Sequence, residues 1–238
     1  MDEISGLSQH PGGTVTRPLA GMTILVVEDS LYACDAIRLM CLRSGARIRR
    51  ADCLRSARRH LQVYRPSAII VDLGLPDGSG LELIEELNEA TPRVSSIVGT
   101  SGEDGAEAAA RAAGADGFLP KPLSNLGTFQ HAILETLPAG HRPSGLRVVR
   151  NETISPDPMA YRDDMAHASN LLDEHREGPV LDYVAQFLGG VARSAEDMDL
   201  ASAADALATH RRGGDVLNGP LSHVAGLVRE RLTGRMAM

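Results

Sequence analysis

Ala68-Ile69-Ile70-Val71-Asp72-Leu73-Gly74-Leu75-Pro76-Asp77-Gly78-Ser79-Gly80 is the stretch that decides the fold. Its apolar run has strand length and stops at a carboxylate. An apolar run without alternation implies burial on both faces, as in a parallel sheet. The Gly and Pro residues that follow break the strand. Leu81, Ile84 and Leu87, set against Glu82, Glu85, Glu86 and Glu89, then mark an amphipathic helix. The same alternation extends outward in both directions. Ile24-Leu25-Val26-Val27, Ser96-Ile97-Val98-Gly99 and Gly117-Phe118-Leu119 are further apolar runs, and Ala46-Arg47-Ile48-Arg49 is an alternating, edge-like one. Leu126, Phe129 and Ile133 form another apolar helix face. Strand and helix alternate five times between residues 23 and 137. The expected fold there is α/β, a doubly wound five-stranded parallel sheet.

Such a sheet binds ligands beyond the carboxyl ends of its strands. Glu28 and Asp29 close the first strand, Asp72 the third and Ser101 the fourth, while Lys121 follows the fifth. These residues should converge on one edge. Lys121 is the one lysine among 24 Lys and Arg residues. A chain that otherwise uses arginine and keeps an ammonium here points to a need for a compact charge. Carboxylates with one ammonium suit Mg²⁺ and a phosphoryl group. The alternative is structural ion pairing of buried charges, although clustered acids repel and call for a cation.

Val27-Glu28-Asp29-Ser30, the Asp72–Gly80 stretch quoted above, Gly99-Thr100-Ser101-Gly102 and Phe118-Leu119-Pro120-Lys121-Pro122 together resemble the receiver domain of two-component response regulators. The likeness covers residues 22–137 and implies a flavodoxin-like receiver. It implies that Asp72 is the phosphoacceptor, a nucleophile that becomes an aspartyl phosphate. Asp29 and Asp72 would ligate Mg²⁺, with the Gly74 carbonyl as a further ligand and Glu28 acting through a water; Mg²⁺ keeps several waters. Lys121 would pair with the phosphoryl oxygens and Ser101 would donate to one of them. Gly102 would leave the phosphorus open, and Phe118 would be the switch aromatic. Pro122 stands where the family often has a cis bond. The resemblance further implies a histidine kinase or histidine phosphotransferase as donor. It implies no enzymatic activity beyond self-phosphorylation from a phosphodonor and autodephosphorylation. A homodimer could form through the face of helix 4, strand 5 and helix 5. Two departures stand out: Glu28 replaces the commoner Asp, and Gly99 weakens a strand interior without an evident role.

Residues 1–21 are polar and read as a flexible leader; residues 138–157, rich in Pro and Gly, read as a linker. In residues 158–238 the strand signal disappears. Val180, Val184, Phe187, Leu188 and Val191 fall at helical spacing, as do Leu200, Ala204 and Leu207, and Leu217, Leu221, Val224 and Val228. With the segment from Met165 to Leu172, this predicts a small all-α helical bundle. Ala185-Gln186-Phe187-Leu188-Gly189-Gly190-Val191-Ala192 resembles the central motif of histidine phosphotransfer domains. Gln186 stands at the family's phosphorylated histidine and cannot form a phosphoramidate, so the resemblance implies a degenerate, docking version; a plain bundle is the alternative. His167, His175, His210 and His223 are candidates for phosphoryl chemistry or solvated helix histidines.

Residues 22–137 carry 12 basic and 15 acidic side chains, and residues 138–238 carry 11 and 14, within a net charge of −7. Neither half is basic, so nucleic acid is not the expected partner. Arg47, Arg49, Arg50, Arg55, Arg58 and Arg59 form a solvated edge or an acidic-partner surface. The output expected is protein–protein, the alternative being a DNA-binding transcription regulator with an atypical helical output. Cys34, Cys41 and Cys53 offer neither a disulfide framework nor zinc spacing. With no apolar run long enough for a bilayer and no signal peptide, a cytoplasmic location is expected.

Overall fold

The computed structural model describes residues 13–14, 16–139, 152–175, 178–213 and 218–234. Most of the expected leader and of the expected linker lies outside them, as do Arg176, Gly214, Leu217 and Arg235.

The first half alternates as the sequence predicts: β1 (Thr23–Val27), α1 (Leu31–Ser44), β2 (Arg47–Ala51), α2 (Leu54–Val63) and β3 (Ala68–Asp72). A minimal hairpin follows, β4 (Gly74–Leu75) with β5 (Gly78–Ser79), and leads into α3 (Gly80–Glu89). Then come β6 (Ile97–Ser101), α4 (Ala106–Ala112), β7 (Gly117–Pro120) and α5 (Leu126–Thr136). The main sheet has the order β2-β1-β3-β6-β7, and all its pairings are parallel. Successive strand residues point to opposite faces, so each apolar run feeds two cores. Ile24, Val26, Ile70 and Val98 pack with α1 and α5. Leu25, Val27, Ile69, Val71 and Ile97 pack with α2, α3 and α4. β2 is one of the two edge strands, and its arginines lie in solvent.

Local capping is well matched to this layout. Ser30 caps α1, its Oγ accepting from Ala33 N at 3.0 Å. Cys53 gives α2 no side-chain cap, and Asp77 from the β4–β5 turn supplies it, accepting from Leu54 N at 2.8 Å and Arg55 N at 2.9 Å. A carboxylate at a helix N-terminus satisfies orphan donors and meets the positive end of the dipole.

The second half contains α6 (Pro158–Glu174), α7 (Val180–Ser194), α8 (Met198–Gly213) and α9 (Asn218–Thr233). Each packs on the next, and α9 closes back on α6. Met165, Leu181, Val184, Leu188, Leu200, Leu207, Val224 and Val228 fill the centre. Asp197, between α7 and α8, ties the ring shut: it accepts from Tyr161 Oη at 2.7 Å and from Arg231 Nε and Nη2 at 2.9 and 3.1 Å.

Two expected boundaries move. The leader was expected to be flexible to residue 21, yet Leu19 is fully buried in the α1–α5 core and its N–H donates to Ser44 O at 2.9 Å. Apolar burial outweighs the loop-like composition there. The linker was expected to run to residue 157, yet Thr153 bridges Asn125 and Ile154 is buried in the same core.

Candidate functional site

The residues expected at the strand ends converge on one edge of the sheet. Glu28 and Asp29 follow β1, Asp72 ends β3, Ser101 ends β6 and Lys121 follows β7; with Gly74 and Gly102 they line one small cavity. Glu28, Asp72 and Lys121 are 0, 7 and 8% exposed, and Asp29 is half-buried. Lys121 Nζ lies 2.9 Å from Glu28 Oε2 and 3.3 Å from Asp72 Oδ1. Glu28 Oε1 accepts from Ser30 N at 3.2 Å. The Lys121–Pro122 bond is cis. Ser101 accepts from Glu103 N at 3.2 Å, whereas the neighbouring Thr100 hydroxyl is spent on Leu119 O at 2.7 Å.

Burial pushes the Asp72 carboxyl above the usual carboxylate range, helped by the Glu28 charge and opposed by Lys121. Asp29 is raised well above its ordinary value by burial, then by Glu28 and Asp72, with Tyr183 and Lys121 acting the other way. Burial works against the Lys121 charge, but Asp72 and Glu28 overcome it and hold the ammonium protonated. One cation among three carboxylates leaves excess negative charge in a low-dielectric place.

Carboxylate oxygens of Glu28, Asp29 and Asp72 lie within 4.8 Å of one another. Glu28 Oε2 is ion-paired with the Lys121 ammonium at 2.9 Å and has no further partner. Hard oxygens and surplus negative charge fit a divalent cation of the Mg²⁺ type.

Phe118 is half-buried against the α4 side of the sheet. Gly99 now has a role: a Cβ there would sit 2.9 Å from Ala110 Cβ and 3.3 Å from the Phe118 ring. The glycine makes room for that aromatic and for α4.

Sequence reasoning missed what covers this site. Tyr183 Oη donates to Asp29 Oδ2 at 2.8 Å, and Gln186 Nε2 donates to Glu103 Oε1 at 3.3 Å. Gln186, Phe187, Gly190, Val191 and Arg193 of α7 line the same cavity as the acids. Asp164 of α6 accepts from Ser30 Oγ at 2.8 Å, Leu31 N at 2.8 Å and Tyr32 N at 3.0 Å, capping α1 from the other half of the chain. Burial raises its carboxyl while those three donors oppose the shift.

Of the other candidates, His167 and Arg50 border the acids, lining a neighbouring pocket with Asp29 and Tyr183. His167 is exposed, its ring edge-on to Phe187 with centroids 5.6 Å apart. His175, His210 and His223 lie at the bundle surface. Of the arginine group, Arg50 reaches Asp29 O at 3.2 Å and Arg58 pairs with Glu86. Cys34 and Cys41 are buried, which pushes their thiols up to about 11 and about 12. Among the described residues, no helix is long and apolar enough to cross a membrane.

Residues 24–133 match the family model for the response regulator receiver domain. The KDP operon transcriptional regulatory protein KdpE of Escherichia coli K12 is 29% identical over 145 residues, covering 60% of this chain and 58% of its own. The virulence transcriptional regulatory protein PhoP of Salmonella typhimurium LT2 is 32% identical over 103 residues, 43% of this chain and 46% of its own. The chain thus spans about half the length of the curated relatives it matches. A structure of the chemotaxis response regulator CheY4 of Vibrio cholerae covers 49% of this chain and 98% of its own at 24% identity, with a TM-score of 0.45. Two of these relatives are named as transcriptional regulators, so the expectation against nucleic acid gains no support.

Proposed function

We propose, from the premise that residues 24–133 are a response regulator receiver domain, that Asp72 accepts a phosphoryl group from a histidine kinase or histidine phosphotransferase. The observation that carries this reading is the convergence of Glu28, Asp29, Asp72, Ser101 and Lys121 on one cavity. Phosphoryl transfer asks a protein for alignment and charge neutralisation. Asp72 is the attacking carboxylate. Lys121, held protonated, meets the charge on the phosphoryl oxygens. Ser101 gives up its contact with Glu103 and donates to one of them. Gly102 keeps the approach to the phosphorus free of a side chain. Asp29, Asp72 and the Gly74 carbonyl would hold Mg²⁺, with Glu28 acting through a water. That ion, when bound, supplies the positive charge the carboxylates lack. Phe118, beside Gly99, reports the movement of Ser101 toward the α4–β7–α5 face, where two receivers could pair.

Residues 158–238 act as the interaction unit, read as a degenerate phosphotransfer-like bundle. Its four-helix ring and the place of Gln186 at the acidic cavity favour that reading over a generic bundle. A DNA-binding role remains the second reading, favoured by the names of the relatives.

Treating the chain with acetyl phosphate and Mg²⁺ should add the mass of one phosphoryl group, and Asp72→Asn should abolish the addition. An Asp72→Asn protein that still gains the mass would overturn the assignment.

A further inference from the structure

The acceptor cavity is narrowed and partly covered from outside by the chain's own second half. The space open to the centre of a water molecule there is about 20 Å³, enough for about one water and too little for a donor group. Its outer wall is one face of α7, presenting Gln186, Gly190 and Arg193 at spacings of four and three residues, with Tyr183, three residues before Gln186, on the adjoining pocket. A Cβ at Gly74 would fall 2.6 Å from the Gln186 side chain, and one at Gly190 would fall 3.8 Å from Lys121 Nζ. The helix backbone therefore rides directly over the ammonium.

The attachments holding α6 and α7 in place are mostly polar, and at the start of α6 Asp157 N donates to Asp35 Oδ2 at 3.0 Å. Asp164 takes the three donors at the start of α1, Tyr183 takes Asp29 and Gln186 takes Glu103. Tyr32 adds an edge-on contact with Tyr161, their centroids 5.7 Å apart. The large apolar cores lie inside each half, not between them. Such a junction can part without either half unfolding.

We propose that the α6–α7 pair is a cap, docked in cis on the surface that a helical phosphodonor protein must use, and that donor and cap exclude one another. This rests on the acceptor reading above. Gln186 holds the place facing the acceptor with an amide that has no phosphoryl chemistry. Capping and modification are coupled in both directions, because linkage is reciprocal. Lifting α7 exposes Asp72, and a phosphoryl group that draws Ser101 inward pulls Glu103 from Gln186. The freed α7 face is then the output surface.

A disulfide can fasten the cap. A Cβ at Gly102 falls 3.8 Å from Arg193 Cβ, near the usual separation of about 3.8 Å in disulfides. The variant Gly102→Cys/Arg193→Cys, in a Cys53→Ser background, is compared oxidised and reduced with acetyl phosphate and Mg²⁺, alongside Gly102→Cys alone, which gives the cost of a side chain at that position without the fastening. Oxidation should slow modification of Asp72 by about tenfold or more, since rate follows the open fraction. The pair Asp164→Ala/Tyr183→Phe should instead speed modification beyond the unaltered chain. Amide exchange at Leu31 and Tyr32 should rise in that variant while the α7 core amides stay protected, which separates opening from unfolding. Equal rates for the oxidised and reduced forms, with Asp72 modified in both, overturn the cap and leave the acceptor standing. No modification in either the opened or the unaltered chain removes the acceptor reading and the cap with it.

Discussion

The receiver and the helical bundle bury aliphatic cores of the same kind but treat charge in opposite ways. The receiver buries Glu28, Asp72 and Lys121 beside one another. Among the described bundle residues, Asp164 is the buried charged side chain, and its partners all belong to α1 of the receiver. The bundle's other carboxylate anchor, Asp197, stays partly exposed and serves its own ring. Buried charge is costly unless paired. Where it survives, it gathers at the proposed acceptor in one half and at a contact between halves in the other.

The contrast is most exposed at Lys121. Lys121→Ala leaves two buried carboxylates without their cation, and about 3 kcal/mol or more should be lost in urea unfolding at neutral pH. Mg²⁺ should recover part of that loss; no recovery would argue against a cation site. Leu188→Ala opens a cavity in a fully buried bundle position and should cost about 3 kcal/mol. If far-UV circular dichroism shows the bundle melting first in that variant, the halves are separate cooperative units. Asp197→Ala breaks the tie between Tyr161 and Arg231 and should cost about 2 kcal/mol, read from thermal unfolding. Gly99→Ala should be the mildest, about 1 kcal/mol from crowding Ala110 and Phe118; its sharper signature is a shifted Phe118 environment in NMR spectra.

The fold of the first half was readable because apolar runs buried on both faces of a parallel sheet leave an unbroken signal. The acids and Lys121 were readable because strand ends are fixed once the strands are. Gly99 was not, since its reason is the volume of Phe118 and Ala110, which are distant in the chain. Leu19 and Ile154 were lost in loop-like composition, although each is an isolated apolar residue with a buried destination. The cap was missed because its evidence is split between helices. Asp164 does carry a signal: it falls three residues after Tyr161 and four before Ala168, a carboxylate on an apolar stripe. Tyr183, Gln186, Gly190 and Arg193 likewise form a second stripe beside the apolar one.

Ile154 sits in the receiver core and Thr153 is bridged to Asn125, while α6 begins at Pro158. Four peptide steps separate the anchored residue from the first helical one, a leash of roughly 14 Å when drawn straight. A bundle on so short a leash cannot diffuse away; it swings about a pivot and stays at an effective concentration in the millimolar range. Any protein that competes for that surface must therefore outmatch a tenant that never leaves the doorstep.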